Sequence, residues 1–140
     1  MLVETDVILA HVKEKDWLKS YADKILRAAD SGRIKLCASC EVIHELYYMS
    51  IKLGIDMETL LNKIAALTSI NMDWIPATVE ISLTAMILML EYNMSSIFDA
   101  YYAATALLSD PDRTVISTDS IYERIPGIKR KDPREIAGLL

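Results

Sequence analysis

Apolar and polar positions along this chain alternate between helical and extended patterning. Residues 1–9 are apolar except for Glu4, Thr5 and Asp6, which predicts a short buried strand, or a strand passing into a helical turn. From Asp16 to Asp30, Trp17, Leu18, Tyr21, Ile25, Leu26 and Ala29 recur at helical spacing, until Ser31-Gly32 stops the helix. Residues 33–37 read as a second strand. Ser39 reads as the N-cap of a helix over 40–53 that Gly54 ends, and Asp56 as the cap of a helix reaching about Thr68. Residues 70–75 form a strand candidate ahead of Pro76, and 78–93 a helix apolar enough to be buried on most sides. Ser95-Ser96 then turns the chain into a helix over 98–108. Asp110-Pro111-Asp112 is a turn, the β-branched run 114–118 a strand, and Asp132-Pro133 the start of a last short helix.

Strands alternating with helices imply right-handed β-α-β units, hence an α/β fold with a mainly parallel sheet covered by helices. No linker, repeat or low-complexity segment interrupts the pattern, so residues 1–140 are expected to form one domain. Apolar residues make up 52% of the chain against 4 Gly and 4 Pro, which excludes a disordered chain. The longest apolar run, Ile81 to Leu90, is broken by Ser82 and Thr84 and is too short to span a bilayer. Glu4 and Asp6 stand where a signal peptide would carry basic charge. The expectation is a soluble cytoplasmic protein without a membrane partner.

A net charge of −5 excludes a basic protein that simply coats nucleic acid. It leaves room for nucleic-acid chemistry, because divalent cations bound to clustered acids reverse the local field. The position of the acids therefore matters more than their number. In open parallel sheets the functional crevice lies at the carboxyl ends of the strands. Glu4 and Asp6 close the first strand and would point to one side if the extended conformation persists. Asp119 follows directly after the strand over 114–118. Glu45 and Asp99 fall on helices: Glu45 among Val42, Ile43, Leu46 and Tyr47, and Asp99 at the head of a helix of small and apolar residues. A first-turn acid such as Glu41 or Asp99 has an ordinary explanation in the helix dipole. Glu45, a full turn further in, has less of one, because buried charges need a partner or a metal. Clustered carboxylates raise one another's pKa at a cost to stability. A hard cation such as Mg²⁺ removes that cost, activates water, and stabilises charge on a phosphodiester oxygen.

At these residues the chain resembles the PIN-domain family, and within it the VapC-like toxins. Glu4-Thr5-Asp6 is similar to the Asp-Thr-Asn, Asp-Thr-Ser or Asp-Thr-Asp that ends the family's first strand. Ser39 and Glu45 match its Ser and second acid, and the stretch around Asp99 resembles Asp-Ala-x-x-Ala-Ala. Asp119 stands in the Thr-Asp context of the fourth acid, followed by an aromatic-x-x-Ile-x-Gly-Ile tail. The resemblance runs through nearly the whole chain. It implies a three-layer α/β/α sandwich and a ribonuclease dependent on Mg²⁺ or Mn²⁺, with Glu4, Asp6, Glu45, Asp99 and Asp119 holding the metal. Toxin members of the family cut RNA, form homodimers and are silenced by a small antitoxin protein. One departure is plain: the first acid is usually Asp, and Glu4 reaches one methylene further, so that Asp6 is the alternative ligand from this segment.

Other features add less. Cys37 and Cys40 form one C-x-x-C with no second Cys or His pair for zinc, so two small residues at a strand-to-helix junction is the favoured reading over a redox motif. His44 precedes Glu45 without the second His of a zinc protease. Ser117, Thr118 and Ser120 around Asp119 fit loop capping as well as phosphate binding. Lys129, Arg130, Lys131 and Arg134 make a basic patch, read as a solvated face ahead of an RNA contact. Besides the toxin reading, a housekeeping PIN nuclease for RNA processing and a catalytically inactive PIN-like binding module stay open.

Overall fold

The computed structural model describes residues 1–140. Its strands are β1 (Leu2–Val3), β2 (Cys37–Ser39), β3 (Asp73–Ile75), β4 (Thr114–Ile116) and β5 (Lys129–Lys131). All pair in parallel, in the order β3-β2-β1-β4-β5. The helices are α1 (Thr5–Val12), α2 (Lys19–Asp30), α3 (Glu41–Leu53), α4 (Met57–Thr68), α5 (Val79–Tyr92), α6 (Ile97–Ser109) and α7 (Pro133–Gly138). This is the expected α/β sandwich with a parallel central sheet. The chain steps outward from β1 through β2 to β3, then returns through α5 and α6 to β4 on the other side of β1. The strand order therefore reverses between β1 and β4, and a crevice opens at their carboxyl ends.

Sheet and helices meet in one apolar core. Leu2, Val3, Val115 and Ile116 are fully buried in the two central strands. Helix α6 lies against β1, β2 and β4. Its buried face is built largely from Ala100, Ala103, Ala104 and Ala106, whose short side chains let a helix approach a sheet closely. That approach fixes the start of α6, with Asp99 in its first turn, at the crevice.

Several sequence expectations are settled or corrected. Of the two readings of residues 1–9, the structure has the strand passing into a helix: β1 is two residues long and the chain turns helical at Thr5. Glu4 keeps an extended backbone as the N-cap of α1, while Asp6 accepts a 2.7 Å hydrogen bond from the Val7 amide inside the first turn. Thus Glu4 and Asp6 do not share one side of a strand. A carboxylate at that turn suits the positive end of the helix, and Val7, Ile8 and Ala10 bury equally well in helix or strand. The second strand begins at Cys37 rather than Arg33, so Ser39 belongs to it. Its Oγ still accepts from the Glu41 amide at 3.1 Å. Gly54 ends α3 in the left-handed conformation expected of it, at φ 68°.

Helix α5 was expected to be buried on most sides, but only Ile81, Ala85 and Leu88 are. Val79, Leu83, Met86, Ile87 and Leu90 form an exposed stripe, because α5 lies outside α6 and touches the protein along one face. Lys129–Lys131, expected as a solvated basic face, is an edge strand, where lysines discourage further pairing. The cysteines are free, and burial pushes the Cys37 thiol up to about 11, which leaves no reactive thiolate at neutral pH. No single helix is long and apolar enough to cross a membrane.

Candidate active site

The carboxyl ends of β1 and β4 are tied together by side-chain hydrogen bonds. Glu4 follows β1 directly and is only 6% exposed. Ser117, the first residue past β4, is fully buried, and its Oγ lies 3.0 Å from Glu4 Oε2 and 3.4 Å from Asp6 Oδ2. Its single hydroxyl proton bridges the two acids. Asp6 Oδ2 also accepts from the Thr118 amide at 2.7 Å and the Thr118 hydroxyl at 2.6 Å. Asp6 is thus largely occupied in pinning the loop after β4 to the start of α1.

Glu45 enters from α3, a turn beyond Glu41, half-buried as its apolar neighbours foretold. A short relay supports it. The Thr5 hydroxyl donates to the Tyr102 hydroxyl at 2.7 Å, and Tyr102 donates to Glu45 Oε1 at 3.3 Å. Asp99 enters from the first turn of α6. Asp119 stays at the exposed rim, where its carboxylate accepts from the Ile121 amide at 2.9 Å and caps a 3₁₀ turn over Ser120–Arg124.

The electrostatics reflect acids close enough to act on one another. Burial, followed by the charges of Asp6, Glu45 and Asp99, raises Glu4 well above the carboxylate range. Burial also raises Glu45, against the pull of the Thr5 and Tyr102 hydroxyls. Burial and the charges of Glu45, Asp119 and Asp6 push Asp99 up to about 6. Of the five acids expected in the site, Glu4, Asp6, Glu45 and Asp99 influence one another, and Asp119 reaches the group through Asp99.

A cavity of about 300 Å³ opens beside them, lined by Glu4, Thr5, Asp6, Glu45 and Thr118 together with Leu9, Asp16, Trp17, Leu18 and Met49. No lysine or arginine lines it. Asp99 and Asp119 stand outside its walls.

Two tyrosines at the site were given no role from the sequence, where Tyr122 figures only as the aromatic of the tail motif. Tyr102 lies three residues after Asp99, at the spacing that places side chains on one helix face, and it is conspicuous in a helix otherwise packed through alanine. Tyr122, in the 3₁₀ turn, is fully buried, and its hydroxyl has no hydrogen-bond partner. Burial and the nearby Glu4 and Asp99 charges hold its proton firmly in place. The hydroxyl lies near enough to Asp99 to favour that carboxylate, and it makes no hydrogen bond of full geometry, so a water or ligand oxygen could share it.

These residues fit a hard divalent cation. The donors are all oxygen, they repel one another, and a hydroxyl is left over. No three His, Cys, Asp or Glu side chains are spaced to cage one ion. That suits an ion bound by one or two carboxylates that keeps several waters, as Mg²⁺ does.

A family model described as the PIN domain matches residues 1–128. Among solved structures, the chain is similar to VapBC2 from Rickettsia felis, solved on a DNA fragment from its promoter, at 16% identity and TM-score 0.71 over 94% of this chain and 96% of that one. It is similar to a toxin-antitoxin complex from Klebsiella pneumoniae at 19% identity and TM-score 0.66, again over 94% and 96% of the two chains. It is also similar to VapC20 of Mycobacterium tuberculosis, a toxin that cleaves the sarcin-ricin loop, at 16% identity and TM-score 0.67 over 85% and 89%. At these identities the likeness is one of fold. No curated protein matches the sequence significantly.

Proposed function

The chain belongs to the PIN-domain family, and from that premise we propose that it is a metal-dependent endoribonuclease acting as the toxin of a toxin-antitoxin pair. One observation carries the proposal. Glu4, Asp6 and Glu45, drawn from distant parts of the sequence, line one cavity with no basic side chain, near the point where strand order reverses, and the charge of Asp99 is close enough to raise Glu4. Such an arrangement costs stability unless something positive binds there.

In this reading one or two of Glu4, Glu45 and Asp99 would ligate Mg²⁺ or Mn²⁺ directly and the others, with Asp6 and Asp119 at the rim, would hold it through its waters. A divalent ion held by these residues would supply water activation and stabilisation of negative charge on a phosphodiester. The protein's own part is positional. Ser117 holds Glu4 and Asp6 in register, Tyr102 and Thr5 fix Glu45, and the Tyr122 hydroxyl is free to orient a water. Hydrolysis then needs no covalent intermediate.

Residues 1–140 would act as one domain in the cytoplasm, where RNA is. The likeness to two toxin-antitoxin complexes supports a small antitoxin partner. The exposed stripe Val79, Leu83, Met86, Ile87 and Leu90 on α5 supports a homodimer. Cleavage of RNA in Mg²⁺ or Mn²⁺ by the wild type, lost in Glu45→Gln, is the expected result. A Glu45→Gln protein that cleaves at the wild-type rate would overturn the site assignment. Calorimetry showing no Mn²⁺ binding would point instead to an inactive binding module.

A further inference from the structure

Trp17 is the one aromatic side chain lining the cavity beside the acids, and the fold does not need it there. It precedes α2, whose core contacts are made by Leu18, Ala22, Ile25 and Leu26, and it remains 65% exposed. Burying an indole ring would release far more apolar surface from water than any of its neighbours could. The Arg134 guanidinium lies over the ring, 5.8 Å from its centroid, and leaves the indole largely open to solvent. Arg134 is itself held by two hydrogen bonds to Asp132, at 2.8 and 2.7 Å, so the stack is ordered in advance.

Resting on the nuclease reading, we propose that Trp17 is a base-stacking platform: an unpaired base of single-stranded RNA lies on the open indole surface while its phosphodiester enters the acidic cavity. Three features favour this occupant. The platform and the acids share one cavity, so a base on the indole brings its own backbone to the carboxylates. A volume of about 300 Å³ stands at the low end of the ~300–1,000 Å³ of ligand pockets, room for one nucleotide and too little for a partner helix. Finally, the Arg134 guanidinium packs against the indole, so the platform carries a cation at its edge. Stacking on an aromatic ring is blind to base identity but requires an unpaired base. The inference is thus about Trp17 itself, and an unpaired base is the probe that reads it.

The test uses the Glu45→Gln protein in Mg²⁺, which binds without cutting, and a fluorescein-labelled single-stranded RNA beside the same sequence in duplex form. Anisotropy should show preference for the single strand. Adding Trp17→Ala should weaken that binding tenfold or more, while Trp17→Phe should restore it to within about threefold. In the otherwise wild-type enzyme, Trp17→Ala should raise KM by a similar factor and lower kcat much less. Since Trp17 is exposed, circular dichroism should show both variants folded. Unchanged RNA affinity in Trp17→Ala overturns the platform, even if cleavage is normal and the nuclease reading stands. So does equal binding of single strand and duplex, or a Trp17→Ala defect confined to binding an antitoxin. A wild-type protein that neither binds nor cuts RNA overturns the nuclease reading itself.

Discussion

Asp99 and Asp132 carry the same side chain and answer to opposite surroundings. Asp99 faces other carboxylates in a partly buried site and is pushed up to about 6. Asp132, at the start of α7, accepts two hydrogen bonds from the Arg134 guanidinium, has Arg130 at 3.8 Å, and is held down at about 2. One region accumulates like charge; the other neutralises it locally. Paired carboxylates help hold α7 to the fold, whereas unpaired ones are stable only in proportion to what they bind. On the function proposed above, the acidic end is arranged for a ligand and the basic-acidic end for structure.

The sharpest way to break this contrast is Asp99→Asn. If the acids exist to hold an ion, the substitution should lower metal-dependent cleavage by about 10²-fold or more, within the range for loss of one charge-stabilising group. The metal-free protein should keep or gain thermal stability at pH 8, because one member of a repelling group is gone. A variant that loses stability and keeps its activity would move Asp99 to the structural side. Saturating Mg²⁺ supplies the complementary measurement. A site-bound ion at about a hundred times its Kd adds ~2.7 kcal/mol, so the wild type should melt several degrees higher with Mg²⁺ and Asp99→Asn much less so.

The pH dependence of the two regions has opposite sign. Asp99 and Glu4 have folded pKa values above their unfolded ones, so the native protein holds the extra protons. Their contribution is fully favourable below about pH 4 and is lost as pH rises, through about 6 for Asp99 and through the raised pKa of Glu4. Asp132 behaves inversely, and its contribution fades only as pH falls toward about 2. Between pH 5 and 8 the acidic end should dominate. The metal-free melting temperature should fall across this window, with a shallower slope in Asp99→Asn and in the Mg²⁺-loaded wild type. A slope unaffected by Asp99→Asn would show that this group is not the source.

On the structural side, Asp132→Ala removes both the N-cap of α7, where its carboxylate accepts from the Arg134 amide at 2.9 Å, and the partner of two arginines. A loss of about 0.5–2 kcal/mol is expected in denaturant unfolding. The Mg²⁺-dependent increment in stability should be unchanged. Loss of that increment would show that α7 supports the acids.

What the sequence disclosed and what it hid follow the same division. Glu45 and Asp99 were legible because an acid amid apolar residues, or at the head of an Ala-rich helix, is a local anomaly. Asp6 was legible as an acid but not in its bonds to Thr118, since the turn to helix at Thr5 depends on packing that Val7, Ile8 and Ala10 satisfy in either conformation. The exposure of α5 was hidden because its apolar residues go all the way round, and only tertiary contact decides which side is covered. Lys129–Lys131 lacks the apolar alternation of a strand because edge pairing needs none. Trp17 looked like one more apolar residue at helical spacing, and only its position before α2 turns it toward the cavity.

The smallest expected effect tests whether the two regions are independent. They are physically joined at Arg130, which donates to Glu123 at 2.6 Å and to the Ser117 carbonyl at 3.1 Å, while Ser117 in turn bridges Glu4 and Asp6. Glu123 is largely exposed, so its ion pair with Arg130 is screened and is worth at most ~1 kcal/mol. Arg130 keeps Asp132 and the Ser117 carbonyl when Glu123 is truncated, so the loop after β4 should hold its place. Glu123→Ala should therefore shift denaturant stability by less than ~1 kcal/mol and leave kcat within twofold of wild type. A larger fall in kcat without loss of stability would mean that Arg130 transmits the state of the paired side to Ser117. The contrast between Asp99 and Asp132 would then be two ends of one network.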